Sequence, residues 1–301
     1  MTDTISRDNV FFAFSPANQP VAHVKQGDVI TLETHDCFEG QIQTKDDLLT
    51  NLDWSHVNPA TGPLFIEGTR PGDVLRIDLI DIEVGPQASM VAVPGEGALG
   101  GMIRNMETTI LRMEGNELVF KDKIRVQQRP MIGVIGVAPA HGSVANGTPG
   151  MHGGNMDCTL ISKGNRVYFT VGVEGALFGA GDLHAAMGDG EIVVCGAETP
   201  GRVRFKPETV DMPGLPTPFV ETPDAVATIF SAEDVGAASQ GAIDRMAEFL
   251  TGFANIPLND AGMLMSLVGQ LRFCQVVDPL KTVRFEFPKS VLKQYGFEMP
   301  A

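Results

Sequence analysis

The chain has no surplus of positive charge: 22 Lys and Arg face 37 Asp and Glu, a formal net charge of −15. A surface that acidic repels a phosphate backbone, so nucleic acid or an anionic membrane would need a concentrated basic patch to bind. None is present. The densest basic stretch, KDKIRVQQR at 121–129, alternates as a strand with one solvated face. No window approaches the roughly 18 to 20 apolar residues that span a bilayer. The N-terminal MTDTISRDNVFFAFSP lacks the basic and apolar regions of a secretory signal. Cysteines are few, and Cys37, Cys158, Cys195 and Cys274 lie far apart without a CxxC pair. That spacing fits a reducing cytoplasm and offers no CxxC…CxxC metal signature. Phosphate-cradling loops are missing too, because GEGALGG at 95–101 has neither GxGxxG nor GxxxxGK[ST] spacing. No GxSxG nucleophile elbow occurs. A small neutral or cationic substrate remains the natural partner of such a surface.

What the chain has is glycine and proline, 34 and 20 residues spread along its length, which favours many short elements joined by turns. Its 43% hydrophobic and 20% charged residues are enough for a sizeable core. Residues 9–85 read as β-rich: 21–36 and 73–84 alternate apolar and polar residues. MIGVIGV within 123–140 is short enough for a strand buried on both faces. NRVYFTVGVEGALF (165–178) and EIVVCGAE (191–198) read as two more strands, and 202–214 continues the pattern. A helix is predicted over 231–253, opened by a capping box with Ser231 and Asp234, and a second over 259–273, started by Asn259 or Asp260. A strand from 283 then leads into a short helix entered at Pro288. No repeat or low-complexity linker divides the chain. The expectation is one integrated unit over 1–301, a β-rich body over 1–220 with a helical segment at 231–273.

Three polar clusters fall in glycine-rich loops after apolar strands. ETHDCFEGQI (33–42) carries His35, Asp36 and Gln41; PGMHGGNMD (149–157) carries His152, Asn155 and Asp157; GDLHAAMGDGEI (181–192) carries Asp182, His184, Asp189 and Glu191. The last is predicted to be a tight loop linking two strands. Taken singly, each histidine reads first as a hydrogen-bonded turn residue, and Asp189 as a turn former in GDG. Together, three loops pairing imidazole with carboxylate match the donor set of a divalent metal.

Several stretches resemble the acetamidase/formamidase family: DCFEGQI (36–42), NPATGP (58–63), RPGDVLRIDLIDIE (70–83), MIGVIGVAP (131–139), HGGNMD (152–157), GDLHAAMGDGEI (181–192) and QVVDP (275–279). GGNMD and HAAMGDGE resemble its acetamidase branch, while the loop at 138–151, with His141 and Met151, departs from the family pattern. The resemblance implies a mixed α/β, β-dominated fold with barrel-like and swivelling sheet units plus C-terminal helices. It also implies a metal-associated oligomer, a dimer or larger, that cleaves short amides to a carboxylate and ammonia.

An amide is a poor electrophile and neutral water a poor nucleophile, so a bound Zn²⁺ that lowers the pKa of water and polarises the carbonyl fits that chemistry. Asp36 and His184 are the first choices as ligands, with Glu191, Asp157 and His35 competing for the remaining places. A carboxylate left free, Asp189, Glu191 or Asp157, would carry the proton from water to the leaving nitrogen. Gln41 and Asn155 would orient the substrate amide. Oxygen-rich loops also admit Ca²⁺ or Mg²⁺ as an alternative or second ion. The alternatives are hydrolysis of another linear or cyclic C–N bond, suggested by the 138–151 loop, and a noncatalytic oligomer stapled by metal. The apolar MLMSLVGQL (263–271) would serve a subunit interface in an oligomer. Cys37 and Cys158 read as buried inert thiols beside the polar loops.

Overall fold

The computed structural model describes residues 3–300; strands make up most of its regular structure, with three α-helices near the C-terminus. Two large sheets carry the chain. A nine-stranded sheet is centred on Val74–Val84 and Gly201–Val210, which pair antiparallel along their whole length. An eleven-stranded sheet is organised around Phe178–His184. Both strand orders are open, so the β-dominated fold is as expected but its units are not closed barrels.

The two sheets share one core. Leu32, Leu75 and Val203 of the first meet Leu64, Ile132 and Leu183 of the second in a single cluster of fully buried side chains. The all-buried strand Met131–Gly136 is the MIGVIG run. It pairs antiparallel with Phe178–His184 from Met131↔His184 to Gly136↔Gly179. On the other side of Phe178–His184, the strand Ala60–Ile66 pairs with its first half, and Glu198–Thr199 takes over at Leu183 and His184. The central strand therefore changes neighbours at its C-terminal end, where Asp182 and His184 lie.

This arrangement corrects the expectation of a tight loop over 181–192. GDLH is the end of a buried strand, and the loop begins at Ala185. Small residues let the strand sit deep: a Cβ on Gly181 would come within 2.2 Å of the Pro59 carbonyl oxygen. The expected strand over 191–198 is instead a turn followed by the two-residue strand Glu198–Thr199. The strand expected over 165–178 stops at Thr170, because Gly175, Ala176 and Leu177 turn at positive φ.

A second apolar cluster joins the first helix, Val235–Gly252, to the nine-stranded sheet through Ala238, Ala242, Met246, Phe249 and Leu250. Asp234 caps this helix alone, accepting from the Ala237 N–H at 3.0 Å. Ser231 belongs to the preceding strand and bonds Thr282, so there is no capping box. The second helix, Leu258–Val268, starts one residue before Asn259 and ends ten residues later. At Gly269 a Cβ would strike the Phe285 ring at 2.4 Å, and the chain turns into the edge strand Gln270–Gln275. The last helix, Lys289–Gln294, is entered at Pro288 as expected. Among the described residues no helix is long and apolar enough to cross a membrane.

Candidate functional site

The site lies where the two sheets meet. Asp182 and His184 come from the end of the central strand, two residues apart and so on one face of it. Asp157 follows the short strand Gly153–Asn155, Glu191 comes from the 185–197 loop, and Glu198 from the strand beside His184. Asp278 and Cys37 arrive from the nine-stranded sheet, each on a loop that follows one of its strands, Gln270–Gln275 and Ile30–Thr34.

His184 is the hub. Its Nε2 is 3.1 Å from Glu198 Oε1, 3.4 Å from Asp182 Oδ1, 3.7 Å from Asp157 Oδ1 and 4.0 Å from Glu191 Oε1. None of these five residues is more than 6% exposed. Ligand atoms of Asp157, His184 and Glu191 lie within 4.8 Å of one another, as do those of Cys37, Asp182 and Glu198. His184 Nδ1 has no partner among the described residues and packs against Gly196, where a Cβ would lie 2.5 Å away.

Strain concentrates here. Asp157, Asp182 and Glu191 all have positive φ, as do the neighbouring Asn58 and Val194. Such conformations cost non-glycine residues about 1–3 kcal/mol each and persist where the surroundings enforce them. At Asp182 the twist breaks the pairing between Ile132↔Leu183 and Val134↔Gly181. Gly133 lies opposite, and a Cβ there would be 2.4 Å from Asp182 Oδ2 and 2.5 Å from Asp157 Oδ1. Gly133→Ala is therefore expected to push these carboxylates apart. If these carboxylates hold a metal, its retention should weaken about 10- to 100-fold, a loss of the size seen when supports of ligands are disturbed, with circular dichroism little changed.

Burial opposes ionisation of the acids here. It raises the Asp157 carboxyl well above its ordinary range, with Glu191 and Asp278 adding to the shift. Burial raises Glu191 in the same way, against the pull of His184. Glu198 and Asp278 are pushed up to about 7, in both cases chiefly by burial. For His184 burial favours the neutral ring, but Glu198 and Asp182 outweigh it and raise its pKa well above normal. Held ionised together, so many buried acids would need a compensating cation beside His184.

The donor set fits a divalent metal. Both oxygens of Asp157, Asp182 Oδ1 and Glu198 Oε2 are buried without a hydrogen-bond partner. Buried polar atoms are normally satisfied, and orphaned carboxylate oxygens around an imidazole match the nitrogen and oxygen ligands of zinc.

Above this floor is a cavity of about 180 Å³. Asn155, Asp182, His184, Glu191, Glu198 and Asp278 supply its polar side, and Cys37, Phe38, Leu49, Trp54 and Val57 are among its other walls. Asn155 donates from Nδ2 to Asp278 Oδ2 at 2.8 Å, while its Oδ1 has no donor.

The other residues singled out from the sequence lie elsewhere. Asp36 is buried, but its Oδ1 accepts the Phe38 and Gly40 N–H groups at 2.9 Å, shaping the turn that presents Cys37. His35 is half-buried and lines no part of the cavity. Gln41 bonds the backbone of Asp53 and His56, bracing the segment that carries Trp54. His152 is buried against Phe14, outside both donor groups, and burial lowers its pKa to about 4.

Asp189 points away from the cavity, with its carboxylate on Arg284 at 2.7 and 2.9 Å and on Thr159 at 2.8 Å. Arg284 is only 3% exposed, so Asp189→Asn leaves a buried guanidinium short of a partner. Because Asp189 is itself a third exposed, the expected cost is about 1–3 kcal/mol, read by denaturant unfolding, with turnover kept within a few-fold.

Reading the sequence missed Glu198 and Asp278 as site residues and placed Asp182 in the polar density of GDLHAAMGDGEI without making it a ligand. In the structure Asp182 faces Nε2, on the cavity side. Two signals were present: the spacing of Asp182 and His184 along a strand, and the acid Asp278 within QVVDP.

Comparison with known proteins identifies the setting. The profile of the Acetamidase/Formamidase family matches residues 5–146 and 142–212. The chain belongs to this family. The crystal structure of an acetamidase from Bacillus halodurans superposes with a TM-score of 0.96 at 44% identity, covering 98% of this chain and all of that one. The formamidase of Methylophilus methylotrophus is 28% identical over 236 residues, 59% of this chain and 58% of that protein. The acetamidase of Mycolicibacterium smegmatis is 25% identical over 241 residues, 58% of this chain and 59% of that protein. The chain thus matches less than two thirds of the length of these curated relatives. Residues of both donor groups fall inside the family profile, whereas Asp278 lies beyond its matched range.

Proposed function

We propose that the chain hydrolyses short aliphatic amides to a carboxylate and ammonia, using a divalent metal, zinc by preference, held by Asp157, His184 and Glu191. The observation that carries this reading is the set of unpartnered, buried carboxylate oxygens around His184 at the floor of a small cavity, in a member of this family. Bound zinc supplies a Lewis acid and a water of near-neutral pKa.

The chain's own residues do the rest. Asp278 borders the cavity outside both donor groups, so it is the carboxylate free to take the proton of the attacking water and pass it to the leaving nitrogen. Asn155 fixes one oxygen of Asp278 and offers its own Oδ1 to an N–H of the substrate amide. Phe38, Leu49, Trp54 and Val57 enclose the acyl group. At about 180 Å³ the space is well below the roughly 300–1,000 Å³ of drug-sized pockets, which selects small acyl groups. Asp189 acts at a distance, holding the 185–197 loop to Arg284.

The test is ammonia release from formamide, acetamide, propionamide and benzamide before and after chelation. Rates should fall with acyl size, vanish on chelation and return with zinc. Metal-replete protein that releases ammonia from none of them overturns the activity, and a preference for benzamide overturns the size argument. The same reading places the protein in the cytoplasm, where its four buried free cysteines remain reduced. It also makes the protein a homo-oligomer joined through the exposed Leu258, Met263 and Leu267, with no nucleic acid or membrane partner.

A further inference from the structure

The proposed function uses one metal-binding group and leaves the other unused. We propose that Cys37, Asp182 and Glu198 hold a second divalent ion beside the one held by Asp157, His184 and Glu191, making a two-metal centre with one thiolate ligand. The proposal rests on the reading that the first set carries a metal.

Three observations on the structure support it. Each set is complete in itself, with three ligand atoms within 4.8 Å of one another and every residue buried. The sets adjoin, since His184 Nε2 of the first is 3.1 and 3.4 Å from Glu198 and Asp182 of the second. That spacing suits two ions about 3.5–4 Å apart, the usual separation in two-metal hydrolytic sites.

Unsatisfied atoms occur in both sets. Asp157 contributes two to the first, while Asp182 Oδ1 and Glu198 Oε2 are buried and unpartnered in the second. One ion at the first set leaves the orphans of the second unexplained. Gly133 makes the room for both, since its missing Cβ would crowd Asp157 on one side and Asp182 on the other.

Charge gives the third argument. Once their protons are shed to bind metal, four carboxylates and one thiolate across the two sets would bring five negative charges into a dry site. A single divalent ion offsets two of them, whereas two ions offset four. The sulfur ligand also narrows the choice of metal. Thiolate prefers borderline and soft ions such as Zn²⁺ and Co²⁺ over Ca²⁺ and Mg²⁺, so the second ion is of zinc type.

The experiment is titration of the chelator-stripped full chain with Co²⁺, followed by elemental analysis and absorption spectroscopy. Wild type should take up two ions per chain and show a sulfur-to-cobalt charge-transfer band in the near ultraviolet. Cys37→Ser should lose that band and bind one ion, with Cys37→Ala as a second variant in case serine disturbs the turn. Asp157→Asn should also bind one ion but keep the band. One ion per chain without a thiolate band overturns this proposal and leaves the single-metal reading standing. No bound ion overturns both. Two ions with the band intact in both Cys37 variants overturns the assignment to Cys37.

Discussion

His184→Ala is expected to release bound metal and to lower turnover of a short amide by about 10³-fold, the upper range for losing one group that stabilises developing charge. The ring is the only nitrogen ligand in either group, and its Nε2 lies within 4.0 Å of four carboxylates. Removing it leaves those acids with neither an imidazolium nor a well-held metal between them. The change also reaches the fold, because His184 is a buried strand residue paired with both Met131 and Glu198. A large-to-small change there costs about 2–5 kcal/mol. His184→Gln, which keeps volume and polarity, separates the two effects: it should recover most of the stability and little of the turnover. Elemental analysis and ammonia release on both variants decide the matter. Full activity with metal retained in His184→Ala would remove the ring from the centre of the site.

Stripping the metal should lower the melting temperature by about 10 °C and reverse the dependence of stability on pH. A ligand present at a thousand times its Kd contributes about 4 kcal/mol. For a domain of roughly this size each kcal/mol moves the midpoint by about 2–4 °C. In the metal-free chain Glu198 and Asp278 have folded-state pKa values of about 7, well above ordinary unfolded carboxyls. Between about pH 4 and 7 the folded state therefore holds more protons than the unfolded one, and stability must fall as pH rises through that window. The loaded protein should do the opposite, because its ligands must shed protons to bind and acid drives the metal out. Calorimetric scans of both forms between pH 5 and 8 should show slopes of opposite sign. Parallel slopes would mean that no metal binds these carboxylates.

Much of the fold was legible wherever the apolar pattern, alternating, continuous or helical, was clean. Val74–Val84 and Met131–Gly136 follow their sequence patterns closely, and the first helix follows its 3.6-residue spacing. The pattern failed where small residues and strain decide the path. FGAGDLH was read across two elements because its glycines resemble a turn, yet they let a buried strand approach Pro59 and Phe11. QLRF at 270–273 was read as helix because apolar residues continue past Gly269 at plausible spacing, and only pairing with Lys281–Pro288 makes it a strand. The site was legible in part for the same reason. His184, Glu191, Asp157 and Asn155 stand in motifs with evident polar density. Asp278 and Glu198 each stand alone in apolar surroundings, and only the tertiary fold brings them to the cavity.

The seating of Asp278 and Cys37 on one sheet, opposite Asp157, Asp182 and His184 on the other, bears on how the molecule comes apart. The Gly190 N–H bonds the Cys274 carbonyl and the Val276 N–H bonds the Gly190 carbonyl, so the loop bearing Glu191 is sewn to the segment leading to Asp278. Neither sheet can open without parting the groups around the cavity. Amide hydrogens of Phe178–His184 and of Cys274–Asp278 should therefore exchange together, through one opening event, and both should slow by the same factor when metal is added.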